Sequence, residues 1–281
     1  MRVIESCAKC LYDKQEKMVK SPEYLEEIRQ IIENRDEDDT APYLVYLFNG
    51  VYERYFGKKQ PYTAIKKQYN DLVLSMEDSL RAKIEEAENP LVTAFSYARI
   101  GNYIDFGAMN QVDEDTFLSL FDKAQMHERD LAVMQSFLEE CSQAKEFLLL
   151  ADNCGEIVLD KLFLEQLRKK FPQLHVSVMV RGKEVLNDAT MEDALYVGID
   201  RVAEVVSNGN AVAGTVYDML LEEAKKRMDN ADVILSKGQG NYETLSNQGF
   251  HIFYSFLCKC DLFTSRFEVP RLTGIFVEEK M

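Results

Sequence analysis

The stretch 147-FLLLADNCGEIVLD-160 decides the fold. Five apolar residues, Phe147 to Ala151, break off at Asp152 and Asn153. Beyond Cys154, Gly155 and Glu156, the spacing of Leu159, Leu162, Phe163 and Leu167 becomes helical. An apolar run suited to burial on both faces, then a polar turn and an amphipathic helix, opens a βαβ unit. The pattern recurs in "HVSVMV" (175–180), "VAEVV" (202–206), "DVILS" (232–236), "HIFYSFL" (251–257) and "GIFV" (274–277), which read as further parallel strands. The first two strands begin about 30 residues apart, a normal βαβ spacing. Val212, Thr215, Val216, Met219 and Leu220 are spaced as another helix. Residues 144–281 therefore read as a doubly wound α/β layer.

Residues 1–143 follow a helical period. Ser21-Pro22 is a cap and first-turn pair ahead of Leu25, Ile28, Ile31 and Ile32. Leu44, Leu47, Phe48, Val51, Tyr52 and Tyr55 form a stripe that Gly57 ends. A long charged helix runs from Pro61 to just before Pro90, and Pro90 opens the next through Ala94, Tyr97 and Ile100. Two more are expected near Asp113 to Met126 and Glu128 to Ser142. The class is α/β with an all-helical N-terminal region, divided at 143/144.

A chain of 281 residues, 46% hydrophobic, can bury a sizeable core. Its formal net charge of −15 argues against nucleic acid or an anionic membrane as partner, since both demand surplus Lys and Arg. A local basic pocket for a small anion is still compatible with it. The start "MRVIESCAKCLYDKQEK" lacks the apolar core of a signal peptide, and no segment approaches the roughly 18 apolar residues of a membrane span. A cytoplasmic location is the expectation; the oligomeric state stays open. Six cysteines in a chain this long do not resemble a secreted disulfide framework. Cys7-x-x-Cys10 has no second CxxC or His pair to complete a zinc site, although Cys258-x-Cys260 could supply two more sulfurs.

In an open parallel sheet, ligands bind beyond the C-terminal strand ends. There this chain places Asp152-Asn153, then Arg181, Asn187 and Asp188 in "RGKEVLNDAT". "SNGN" (207–210) follows, opening a helix, then "KGQGNYE" (237–243), then Lys259 in "CKCD". Asp152, Asn153 and Asp188 offer hard oxygens suited to Mg²⁺ or Mn²⁺. Helix capping is the competing reading for each of them, and the facing Asp-Asn and Asn-Asp pairs favour the metal. Lys237 with Gly238 and Gly240 suits a phosphate, as does the "SNGN" turn, though G-x-G-x-x-E is not a dinucleotide fingerprint. Asn102 and Asp105 in "ARIGNYIDFG" lie three apart, around a helix end.

Taken together, "CAKC", "ARIGNYIDFG", "LADNCGEIVLD", "VRGKEVLNDAT", "VSNGN", "SKGQGNYE" and "FLCKC" resemble the damage-control phosphatase family, formerly domain of unknown function 89. The N-terminal CxxC is similar to its short microbial-type branch. The resemblance covers most of the chain. It implies a Rossmann-like three-layer α/β/α domain with a mainly parallel sheet, and a divalent-metal phosphatase of small phosphorylated metabolites. Mn²⁺, Mg²⁺, Co²⁺ or Ni²⁺ would be held by Asp152, Asn153 and Asp188, and Lys237 would meet the substrate phosphate. Catalysis would thus involve Asp152, Asp188 and Lys237. Asn102, Asp105, Asn187, Gly238, Gly240, Asn241 and Lys259 match further motif positions near the cleft, expected to bind substrate, and Glu156 matches another. Glu184 stands where the family often has proline. The nucleophile would be a water on the ion or a carboxylate such as Asp152. Two alternatives are carboxyl methylation with S-adenosylmethionine and phosphometabolite binding without turnover. Against the first, the "ADNCGE" turn is no glycine-rich cradle. Cys154 reads as a small packing residue.

Overall fold

The computed structural model describes residues 1–103, 121 and 126–280. Helices α1 (Glu5–Met18), α2 (Pro22–Glu33) and α3 (Ala41–Phe56) share one small core around Tyr24, Ile28 and Phe48. Ser21 caps α2, its Oγ accepting from Tyr24 N–H at 3.3 Å with Pro22 behind it, and Gly57 (φ 77°) ends α3. Helices α4 (Thr63–Glu86), α5 (Pro90–Gly101) and α6 (Glu128–Gln143) follow. The helix expected near Asp113 to Met126 lies almost wholly outside the described residues.

The α/β part runs β1 (Glu146–Leu150), α7 (Glu156–Lys170), β2 (His175–Val180), α8 (Met191–Val197), β3 (Glu204–Ser207), α9 (Glu222–Asn230), β4 (Val233–Lys237), α10 (Gln239–Leu245), β5 (Ile252–Leu257), α11 (Asp261–Phe267), β6 (Gly274–Glu279). The sheet order is β3-β2-β1-β4-β5-β6. Side chains alternate along each strand, so Phe147 and Leu149 join one core with α4, α5, α6 and α7, while Leu148 and Leu150 join another under α9, α10 and α11. That makes three layers, and the larger core runs across the 143/144 boundary. Helix α7, wedged between the sheet and α4 and α5, is buried almost all round. At Gly101 a Cβ would stand 2.9 Å from Glu156 Cα, so only glycine lets α5 approach α7 this closely.

Two expectations change. The "GIFV" run pairs antiparallel with β5, Ser255 opposite Phe276, as the edge of an otherwise parallel sheet. Its outer half, from Val277, is only partly buried, as an edge position allows. Val212 to Leu220 form no α-helix, only a single 3₁₀ turn at Tyr217–Met219. Asn208 and Asn210 side chains capture the N–H groups of Gly182, Asn210 and Val212, and Thr244 Oγ1 takes Thr215 N–H. Such local bonds outcompete a helix, which starts only at Glu222.

Among the described residues no helix is long and apolar enough to cross a membrane.

Candidate active site

The strand order reverses between β1 and β4, and there Asp152 meets Gly238. This switch point is where an open α/β sheet leaves a crevice. A Cβ on Gly238 would fall 2.1 Å from Asp152 Oδ2, and its φ of 83° also favours glycine. Neither Asp152 nor Asn153 caps α7, whose N-cap is Gly155. Nor does Asp188 cap α8, because Thr190 and Asp193 form a reciprocal capping box. The competing explanation for all three residues is therefore absent from the structure.

The loop after β2 folds over the turn after β1. Asn153 and Asp188 bridge, Asp152 C=O accepts from Ala189 N–H at 2.8 Å, and Asn187 C=O accepts from Cys154 N–H at 2.8 Å. Leu186 holds φ 47°, a left-handed strain in a branched residue beside these contacts. Asp152 and Asp188 are thereby brought to one guanidinium. Arg181 Nε donates to Asp188 Oδ2 at 2.7 Å, and its Nη2 lies 3.8 Å from Asp152 Oδ1 without a hydrogen-bond partner.

Asn102, at the C-cap of α5, donates from Nδ2 to Asp152 Oδ2 and Glu156 Oε2, both at 3.0 Å. Asn153 Nδ2 reaches the same two oxygens at 2.7 and 3.0 Å. Lys259, half-buried beyond β5, acts with its positive charge on both Asp152 and Asp188. Asp105 lies outside the described residues.

Lys237 departs from expectation. It is the last residue of β4 and shares the face of Val233 and Leu235, which turns it into the helix layer. Its Nζ contacts Asp160 Oδ1 at 2.5 Å, Glu156 Oε1 at 2.8 Å and Ala98 C=O at 3.1 Å. Asp160 and Ala98 accept hydrogen bonds and Glu156 pairs by charge, so the ammonium is committed within the fold and not to a phosphate. Burial alone would lower the Lys237 pKa, but Asp160 and Glu156 outweigh it and hold it above the usual lysine range. Glu156 ends below the usual carboxylate range, because Lys237, Asn102 and Asn153 outweigh its burial.

Asn241 is likewise internal, tying Arg181 and Thr215 to the backbone of Ala151 and Lys237. Gly238 N–H is taken by Ser255 C=O, and a Cβ on Gly240 would sit 2.2 Å from Ala213 O. The two glycines serve close packing. The "SNGN" turn opens no helix, and its amides of Gly209 and Asn210 bond Ser207 and Asn208. The sequence reading gave no role to Arg181 or Asp160. The signal for Asp160 was an acid one turn after Glu156 on an otherwise apolar helix.

Cys154 Sγ lies 3.9 Å from the Asp188 carbonyl oxygen with Asn70, Lys66 and Asp193 nearby, and burial pushes its thiol well above the ordinary range. It is a packing residue.

A divalent cation fits the donor set. Burial, then the charges of Asp188 and Glu156, push the Asp152 carboxyl up to about 8, and burial raises Asp188 against the pull of Arg181. Two buried acids that resist ionising together are what a cation stabilises. Arg181 Nη2, a buried donor beside Asp152 without a hydrogen-bond partner, fits an anion alongside it. Among the described residues, a separate Glu140, His251 and Glu278 group also brings ligand atoms within 4.8 Å of one another, but at the opposite edge of the sheet.

These features define an α/β protein of doubly wound topology with an acid–amide–arginine site at its switch point. The chain belongs to the damage-control phosphatase ARMT1-like domain family, whose model matches residues 2–272. A damage-control phosphatase of Archaeoglobus fulgidus is 28% identical over 276 residues, covering 93% of each chain. One of Pyrococcus horikoshii is 28% identical over 224 residues, 78% of this chain and 74% of that one. An uncharacterized protein of Methanocaldococcus jannaschii is 30% identical over 230 residues, covering 75% of this chain and 72% of its own. The crystal structure of a domain-of-unknown-function-89 protein from Pyrococcus horikoshii superposes over the whole of both chains with a TM-score of 0.82 at 22% identity, a likeness of fold.

Proposed function

We propose that this protein is a divalent-metal-dependent phosphatase hydrolysing phosphomonoesters of small metabolites, such as sugar phosphates or damaged phosphometabolites, in the cytoplasm. The observation that carries the reading is the convergence of Asp152 and Asp188 on Arg181 at the switch point. The phosphatases among the family relatives support it. Asp152, Asn153 and Asp188 hold the ion. When bound, the ion supplies Lewis-acid polarisation of a phosphoryl oxygen.

The chain's residues do the rest. Arg181 Nη2, buried and without a hydrogen-bond partner, donates to a phosphoryl oxygen as charge develops there. Lys259 adds positive field at the same two carboxylates. Asp152 Oδ2 already accepts from two amides, and Oδ1 is the atom left for the ion. That favours water over the Asp152 carboxylate as nucleophile. Water adds to phosphorus, the ester P–O bond breaks, and the leaving alcohol takes up the proton.

The test is phosphate release from sugar phosphates and nucleotides, by chelator-stripped protein with and without Mn²⁺, Mg²⁺, Co²⁺ or Ni²⁺. Release only with metal is expected. Equal release without metal overturns the reading, and no release with any substrate favours a binding protein. Borohydride reduction during turnover decides the nucleophile: an acyl phosphate on Asp152 is trapped as homoserine if the carboxylate attacks, and Asp152 stays unmodified if water does.

A further inference from the structure

Asn102 and Asn153 make the same pair of hydrogen bonds and differ in one atom. Each Nδ2 donates to Asp152 Oδ2 and to Glu156 Oε2. A carboxamide NH₂ has two hydrogens, so both nitrogens are fully used. Their acceptors are carboxylate oxygens, which an amide oxygen cannot replace the NH₂ in serving. Both amides are thereby held one way round. The Oδ1 of Asn102 accepts from Leu257 N–H at 3.3 Å. Among the described residues, no hydrogen bond uses the Oδ1 of Asn153. Of two amides held alike, one has its oxygen occupied by backbone and the other presents it.

The acceptor that imposes this is itself fixed. Glu156 Oε1 lies 2.8 Å from Lys237 Nζ, which is bound in turn by Asp160 Oδ1 and Ala98 C=O. Glu156, Asp160 and Lys237 are all at most 1% exposed. They sit on α7 and β4, two rigid elements, so the tether cannot drift as a loop would.

We propose that Glu156, tethered through Lys237 to Asp160 and Ala98, is the positioning residue that turns the Asn153 carboxamide so that Oδ1 faces the divalent ion. The proposal deepens the metal-dependent reading and rests on it. A flipped amide would direct two N–H groups at a cation and repel it. Asn102, held by the same two oxygens, braces Asp152 and is no ligand. Lys237 acts on the ion only through Glu156 and Asn153.

Glutamine at 156 could donate as well as accept and would release the amide. Glu156→Gln is expected to weaken Mn²⁺ binding about 10–100-fold by calorimetry on chelator-stripped, folded protein. Asn153→Asp/Glu156→Gln exchanges carboxylate and amide, so the introduced glutamine donates to the introduced aspartate and affinity returns. Asn102→Asp/Glu156→Gln has the same net charge and does not recover, which separates positioning from bulk charge. Unchanged affinity in Glu156→Gln, or equal recovery in both double variants, overturns the proposal. Wild type that binds no Mn²⁺ overturns the metal reading instead. If the single variant does not fold, a crystal of wild type grown with Mn²⁺ decides. Asn153 Oδ1 on the ion with Nδ2 still on Glu156 supports the proposal, and an amide turned away from Glu156 overturns it.

Discussion

The two edges of the sheet carry two clusters of ionisable residues that behave differently. At the C-terminal edge, Asp188, Glu156, Arg181 and Lys237 are buried among amides and carbonyls, and the Asp152 side chain is 12% exposed. At the N-terminal edge, His251 Nε2 lies 2.9 Å from Glu278 and 3.5 Å from Glu140, with Lys280 3.2 Å from Glu278. There the His251 and Glu140 side chains are more than a quarter exposed, and solvent can satisfy whatever the pairs do not. Depth is what separates a site from a surface network. A buried acid must find a partner in the fold or in a ligand, whereas an exposed one needs neither.

Substitutions should break the first edge and leave the second intact. Asp188→Ala leaves Arg181 without its nearest acid and removes a proposed ligand. Its kcat/KM should fall on the order of 10³-fold or more, with Mn²⁺ binding lost by calorimetry. Gly238→Ala drives a methyl into Asp152 and forces a positive φ on alanine. A shift near an ångström is worth about 10²-fold in rate, and Tm should fall with it.

The pH dependence follows from Asp152. Its folded pKa, about 8, lies above the ordinary carboxylate value, so between the two the folded metal-free protein holds a proton that the unfolded chain has lost. Metal-free stability should decline as pH rises through that window. Apparent Mn²⁺ affinity should rise over the upper part of it, because the ion must displace the proton. Calorimetry and thermal melts at pH 6 and 8 check both signs. The smallest effect is expected at the other edge. His251→Gln should leave activity unchanged and shift stability by no more than about 0.5 kcal/mol.

How far the sequence could be read follows the same contrast. Strand runs such as "HVSVMV" were legible because burial on both faces leaves a continuous apolar signature. The Asp152-Asn153 pair was legible because it interrupts that signature at a strand end, and Asn187-Asp188 because it repeats an acid and an amide in the loop after the next strand. The partners of Lys237 were not. They depend on which way the last residue of β4 faces and on how closely Gly101 lets α5 approach α7, both products of packing. The segment from Val212 to Leu220 misled because apolar spacing says nothing about Asn208 and Asn210 bonding the backbone locally. The direction of β6 was hidden too, since an edge strand can run either way with the same residues.

In the function proposed above, the switch-point carboxylates work through a bound divalent ion. The most direct test is phosphate release by chelator-stripped wild type and Asp188→Ala as Mn²⁺ is titrated from zero to excess. On that reading, no release without metal, full activity near one equivalent in wild type, and no recovery in Asp188→Ala are expected. Sustained release from the stripped wild type, or metal-restored activity in Asp188→Ala, would contradict it.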